Sequence, residues 1–374
     1  MALVALAAVA VAAVRIWTGI RGGTQGRTTA TIASTGTQTG AAATSTVVST
    51  TTTRRVHVRP PGPPYAVGIQ SEQIVEPASP SVATGKTSAG APARILPTQI
   101  RYPASGSAGG AERPGAPAAM ASGPFPLIVF SQGYYTPVSA YSGLMDAWTR
   151  AGYVVAAPTY PLTAPSWPGG PNESDIVNHP NDLRFVISVL MAQANNPQSP
   201  LYHLVNVNEI AVAGQSDGGD VSLAVAANTC CMDHAVKAAV IMSGAELSGF
   251  GGSYFSGGST PLLVTQGDED AVNRPGCSAT LYNQAPAPKY FVDLLQDGAQ
   301  SKQSSLETWR EHLQPYVSPG PPRNYVARTS TAFFDYYLKN DRSGLLSLTA
   351  AGGVPGVAKI TTAPQVSNLG TACP

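Results

Sequence analysis

The stretch Ile210-Ala211-Val212-Ala213-Gly214-Gln215-Ser216-Asp217-Gly218-Gly219 decides how this chain is read. Its first four residues are apolar without polar alternation, as in a strand covered on both faces. Gly214, Ser216 and Gly218 then form a Gly-x-Ser-x-Gly turn, and the Ala- and Val-rich segment 217–227 reads as a helix starting directly behind the serine. Glycines flank the serine because the turn is tight and its backbone packs against its neighbours. Such a strained elbow lifts a serine hydroxyl off the end of a strand, and the helix N-terminus favours negative charge beside it. A glycine-rich connection whose serine merely caps a helix is the plainer alternative. It does not account for the apolar strand that leads in.

Outward from the elbow, apolar runs alternate with helical patterns. Strands are expected at 65–75, 94–102, 126–130, 153–157, 209–213, 238–242, 261–265 and 289–295, and helices at 140–151, 180–194, 217–227, 278–285 and 324–338. This order implies an α/β fold, a doubly wound, mostly parallel sheet flanked by helices. The first two strands, joined by a long Gly/Pro loop, suit an antiparallel edge. Ligands on such sheets bind at the carboxyl ends of the strands.

The 374 residues carry 43% apolar and only 11% charged side chains, with 38 Gly and 33 Pro. That is enough for a core and too apolar for wholesale disorder. A net charge of +1 provides no global field for nucleic acid or an anionic membrane. The five histidines and four cysteines show no zinc-ligand spacing, so no metal and no nucleic-acid partner is expected. Residues 2–14 are an unbroken apolar run, too short to span a bilayer but suited to a secretory signal or a retained membrane tether within 1–20. The Thr/Ser/Gly/Pro-rich segment 21–64 reads as a flexible linker, 65–362 as the catalytic domain and 363–374 as a loose tail. A secreted or envelope-associated monomer is the expectation.

The elbow in this context resembles the α/β-hydrolase superfamily. It is most similar to the branch of platelet-activating-factor acetylhydrolases, dienelactone-hydrolase-like esterases and bacterial polyester hydrolases, over about residues 65–340. The resemblance implies a serine carboxylesterase without a cofactor, acting on a small or polymeric ester. Ser216 would be the nucleophile, although Gln215 stands where relatives often carry His. The loop Ser131-Gln132-Gly133-Tyr134-Tyr135 follows the strand at 126–130. By the family match, the backbone N–H groups of Tyr134 and Asp217 form an oxyanion hole. Tyr134 and Tyr135 also suit the wall of an acyl or aromatic pocket.

Three carboxylates compete in Gln266-Gly267-Asp268-Glu269-Asp270, and the family spacing selects Asp270 as the acid. The base is displaced. Where the family expects His, the chain has Asp297-Gly298-Ala299-Gln300. Either the enzyme is dead, or His312, the only histidine downstream of Asp270, has taken the role after a loop insertion at 301–306. The segment His312-Leu313-Gln314-Pro315-Tyr316 resembles the one after the catalytic His in relatives, which favours His312. His179 is expected to cap a helix or face solvent, and His203 and His234 to lie on the surface.

Cys230, Cys231, Cys277 and Cys373 make an even set, and an exported chain suits disulfides, with three possible pairings. Ring strain argues against a bond within the adjacent pair, whereas a bridge from Cys277 would brace the acid loop. A peptidase or haloperoxidase on the same fold, or a non-catalytic envelope binding protein, are the competing readings.

Overall fold

A computed structural model describes residues 62–77, 93–165, 168, 170–258, 260–295, 312–367 and 373. The apolar run at 2–14, the linker up to 61, His57, Gln300 and the insertion at 301–306 lie outside the described residues. No helix among the described residues is long and apolar enough to cross a membrane.

In chain order the elements are β1 (Ala66–Glu76), β2 (Arg94–Ala104), β3 (Arg113–Pro114), β4 (Phe125–Ser131), α1 (Ser142–Arg150), β5 (Val154–Pro158), α2 (His179–Ala194), β6 (Val205–Gln215) and α3 (Asp217–Ala227). There follow β7 (Val236–Met242), β8 (Leu262–Gly267), α4 (Pro275–Gln284), β9 (Lys289–Leu294), α5 (312–317), α6 (Pro321–Leu338), α7 (Ser343–Ala351), β10 (Gly353–Val354) and β11 (Ala358–Thr361). The strands form one sheet in the order β10-β11-β9-β8-β7-β6-β4-β5-β2-β1-β3. From β5 through β4, β6, β7 and β8 to β9 every neighbour is parallel. The expected edge is present, with β1 antiparallel to β2 and β2 antiparallel to β5.

The lack of polar alternation in the central runs has a direct cause. In β4, Leu127 and Val129 pack into one core layer while Ile128 and Phe130 pack into the other, and in β6 Ile210 and Val212 oppose Ala211 and Ala213 in the same way. Side chains alternate faces, but helices cover both, so every position is apolar. One layer holds Leu183, Ile187, Val221 and Leu281 from α2, α3 and α4; the other holds Trp148, Phe333 and Phe334 from α1 and α6.

Chain order reverses at β4 and β6. From β4 the chain moves outward to β5, then returns past β4 to β6 and continues the other way. Loops leaving the carboxyl ends of β4 and β6 therefore diverge and open a crevice at this switch point. Those are the loop 131–135 and the Ser216 elbow.

Three differences from the sequence reading stand out. The segment beyond β9 adds α7, β10 and β11, the last antiparallel to β9. The expected loose tail is tied down, because Val366 N–H donates to Asn283 Oδ1 at 2.8 Å and Cys373 is bonded to Cys277 across 96 residues. The adjacent cysteines Cys230 and Cys231 are bonded to each other, contrary to the strain argument. They sit on a tight turn closing α3, where Asn228 accepts the N–H of Cys230 on its side chain and that of Cys231 on its carbonyl. That turn fixes the backbone of the pair, and Cys277 and Cys373 are occupied with each other.

Candidate active site

Ser216 has φ 57° and ψ −128°, a left-handed φ that a side chain adopts only when its surroundings impose it. The surroundings are tight. A Cβ on Gly214 would overlap the Gly218 carbonyl, and a Cβ on Gly218 would overlap the carbonyl of Ser131 at the end of β4. Gly218 thus lets the elbow press directly on the end of β4, where the loop 131–135 begins. Ser216 N–H donates to Met242 O of β7 at 2.9 Å, and its own carbonyl accepts Asp220 N–H as the first hydrogen bond of α3. The Asp217 N–H, at the first position of α3, has no helical acceptor.

In the loop after β4, Gly133 N–H donates to Tyr141 Oη at 3.3 Å and Tyr135 N–H to Thr163 O at 2.9 Å. Tyr134 N–H lies between them, on the loop that faces the elbow. Ser131 Oγ is hydrogen-bonded to Tyr160 Oη at 2.7 Å, which anchors the start of the loop. The Gln132 amide is buried, and neither of its polar atoms has a hydrogen-bond partner among the described residues, so this loop keeps polar capacity in reserve. Tyr134 is half-buried, while Tyr135 is 51% exposed at φ 57°.

Asp270 and His312 meet. His312 Nδ1 lies 2.7 Å from Asp270 Oδ2, and both side chains are buried. The second oxygen of Asp270 accepts the N–H groups of Val272 and Asn273, each at 2.9 Å. Asn273, held by that turn, donates from Nδ2 to Ser216 Oγ at 3.2 Å and to the Ser243 carbonyl. His312 lies in α5, and Tyr316, one turn on, shares its face. Tyr316 Oη hydrogen-bonds Ser243 Oγ at 2.9 Å and the Thr265 carbonyl at 3.2 Å, which ties α5 to the ends of β7 and β8. The Tyr of the His-Leu-Gln-Pro-Tyr segment is thus the anchor that sets the histidine.

The electrostatics centre on Asp217. Burial pushes its carboxyl up to about 7, Glu173 adds to the rise, and its own backbone N–H works in the other direction. Its Oδ2 is buried with no hydrogen-bond partner among the described residues. Asp220, half-buried one position before Val221, is pushed well above its ordinary value by desolvation, although the Ala245 N–H donates to it at 2.6 Å. The side chain that follows Ser216 is therefore partly neutral near pH 7.

The remaining histidines divide. His203 and His234 are exposed as expected. His179 is not a solvent-facing cap. It is buried, stacked on Tyr160 at 4.5 Å and 3.2 Å from Asp175 Oδ2, beside Arg94, which pairs with Asp175 and Asp182. That charge cluster roots α2 against β2, and only the tertiary fold brings its members together. Sequence reasoning also missed Gln215, Asn273, Tyr141 and Tyr316 as contacts of the site. Gln215 and Tyr316 lay within quoted motifs and Asn273 in the acid loop three residues beyond Asp270, whereas Tyr141 had no chemical signature. Among the described residues no group of three or more His, Cys, Asp or Glu could hold a metal ion.

Comparison with known proteins bears on this arrangement. The chlorophyllase family model matches residues 116–244, which include the loop after β4 and the elbow but stop before Asp270 and His312. No curated protein matches. Among solved structures, a ferulic acid esterase from Streptomyces cinnamoneus is similar, with 22% identity and a TM-score of 0.53 over 75% of this chain and 93% of that one. The chain has the α/β-hydrolase fold.

Proposed function

We propose that this chain, α/β-hydrolase in fold, is a secreted serine esterase that cleaves small acyl esters or polyester-like substrates through Ser216, His312 and Asp270. The observation that carries the reading is the 2.7 Å contact of His312 Nδ1 with Asp270 Oδ2 beside the elbow, made by residues 42 positions apart. The ring of His312 also meets Gln215, the residue before the serine, at 2.8 Å, which supports its reading as the base. The chlorophyllase match and the esterase among the solved structures support ester hydrolysis.

The chemistry follows from the geometry. Asp270 accepts the Nδ1 hydrogen and so leaves Nε2 of neutral His312 as the acceptor. As Ser216 Oγ attacks the ester carbonyl, its proton passes to Nε2, and Asp270 stabilises the charge that forms. The developing oxyanion rests on the N–H groups of Tyr134 and Asp217, each worth about 3 kcal/mol of transition-state stabilisation. Protonated His312 passes the proton from Nε2 to the leaving alcohol, and water then attacks the acyl-enzyme with His312 again as the base. Asn273 also donates to Oγ and favours its anionic form. Tyr134 and Tyr135 line the approach as substrate contacts.

Export is supported by the apolar run at 2–14 and by two disulfides, which persist in oxidising compartments. Hydrolysis of p-nitrophenyl acetate and butyrate by the wild type, abolished in Ser216→Ala, is the expected result. An inactive wild type, or an unimpaired Ser216→Ala, overturns the reading in favour of a binding protein.

A further inference from the structure

Gly214-Gln215-Ser216 places a long amide immediately before the nucleophile, and neither the proposed triad nor the oxyanion donors use it. The side chain is fully buried, and both its ends are engaged. Oε1 accepts from Tyr141 Oη at 2.6 Å, and that same oxygen of Tyr141 accepts the Gly133 N–H of the oxyanion loop at 3.3 Å. Nε2 of Gln215 lies 2.8 Å from Nε2 of His312. With the His312 hydrogen on Nδ1 toward Asp270, Nε2 of the neutral ring is a bare acceptor, so the Gln215 amide donates to it. The packing is close. A Cβ on Gly133 would sit 2.7 Å from Gln215 Oε1 and 3.2 Å from Ser216 Cβ, so only glycine lets the loop approach.

We propose that Gln215 is a positioning residue that couples the base to the oxyanion loop, one amide holding His312 through its N–H and the Gln132–Gly133 peptide, next to the one that carries the Tyr134 N–H, by way of Tyr141, through its carbonyl. This rests on His312 being the base. In the resting site the amide occupies the nitrogen that must receive the serine proton. When Ser216 Oγ–H turns to Nε2, the Gln215 N–H···Nε2 bond is released and Oγ–H···Nε2 replaces it. The proton then moves to Nε2, while the other hydrogen stays on Nδ1, donated to Asp270. Up to that exchange, the imidazole and the oxyanion loop keep a common reference in one side chain, and the Tyr141 link to the loop persists after it. The coupling acts on the chemical step and leaves substrate affinity alone.

The test uses the full chain with two variants at this position. Gln215→Met has nearly the same shape and no hydrogen bonds; Gln215→Glu keeps the acceptor for Tyr141 but has no N–H for His312. Each is expected to lower kcat roughly tenfold with KM within about twofold. Tyr141→Phe should lower kcat about threefold to tenfold, and the Gln215→Met/Tyr141→Phe double variant should fall no further than Gln215→Met, since both cut one chain. A readout independent of turnover is the ¹⁵N resonance of His312 Nε2 in the substrate-free, imidazole-labelled protein, which should move in both Gln215 variants. An unmoved Nε2 resonance in a folded variant, turnover within about twofold of wild type, or fully additive losses in the double variant overturns the proposal. If Gln215→Met does not fold, Gln215→Glu decides. A wild type that hydrolyses no ester defeats the esterase reading, while the Nε2 resonance still decides whether Gln215 holds the ring.

Discussion

Ser216 is held by one continuous run of chain, the end of β6 and the start of α3, whereas Asp270 and His312 come from separate segments and meet only by packing. The elbow is a backbone device. Its geometry depends on Gly214 and Gly218, whose Cα hydrogens face carbonyl oxygens, and on a left-handed φ at the serine. The acid–base pair is a side-chain device whose anchors are a tyrosine one turn after the histidine and a carboxylate that fixes its own loop. A backbone device tolerates no added atom but needs no distant partner. The side-chain device allows an insertion between its parts, provided that the anchors hold, and this is how the histidine can sit beyond the segment 301–306.

The sharpest way to break the contrast is to remove the base. His312→Ala should lower kcat by roughly 10⁴-fold or more, as triad knockouts do, while His203→Ala, on the exposed surface, leaves it unchanged. Steady-state kinetics on p-nitrophenyl butyrate reads both, and full activity in His312→Ala would remove the pair from the mechanism.

A smaller effect is expected from the bridge. Cys277→Ser/Cys373→Ser opens a loop of 96 residues that ties α4, directly after the acid loop, to the end of the chain. On chain-entropy grounds it should cost up to about 4–5 kcal/mol, seen as a melting temperature lower by about 10 °C. Activity just below the melting transition should be lost from the acid–base side first, so kcat falls before global unfolding.

At the elbow, Gly218→Ala drives a methyl into the Ser131 carbonyl. Overpacking of this kind costs about 1–3 kcal/mol, and kcat should fall with it because the oxyanion loop is displaced. An active, equally stable Gly218→Ala would show that the close approach is dispensable.

The mildest prediction concerns Asp217. Its carboxyl is raised to about 7 by burial and by Glu173, so the folded state holds a proton that the unfolded chain has released. Stability therefore declines as pH rises from about 4 through 7, and Asp217→Asn should flatten melting temperature against pH across that window. In turnover, the ionised carboxylate opposes the oxyanion and competes for the Asp217 N–H. Wild-type kcat on neutral esters should thus decline above about pH 7, and that decline should vanish in Asp217→Asn, whose turnover stays within about tenfold of wild type. Discrimination against anionic esters should grow over the same range in the wild type alone.

Much of the fold was legible because central strands are buried on both faces and their composition says so. The run 210–213 and the helix at 217–227 emerge where the pattern puts them. The edge elements β10 and β11 were not legible, being two and four residues long with no period to read. In the site, Ser216 could be read because its chemistry and its backbone are encoded together. Asp270 and His312 required chain order and a resemblance. Asn273 and Tyr141 act through contacts 57 and 74 residues away in sequence, to Ser216 and Gln215, and no local pattern reports such distances. His179 was misjudged for the same reason, since its burial depends on Tyr160 and Arg94 arriving from elsewhere. The Cys230–Cys231 bond was missed because the strain argument ignored a turn that already bends the backbone.

Asp270 spends one oxygen on the imidazole and the other on the turn that presents Asn273 to the nucleophile. The three carboxylates in Gly267-Asp268-Glu269-Asp270 are therefore not interchangeable spares. Moving the acid by one residue would abandon two jobs together, so the position is locked against gradual drift. His312 is held through side chains, those of Asp270 and Gln215 among them, so the proposed base can shift along the chain while those contacts are kept. Across descendants of this chain, innovation should accumulate around the histidine and stall at the aspartate.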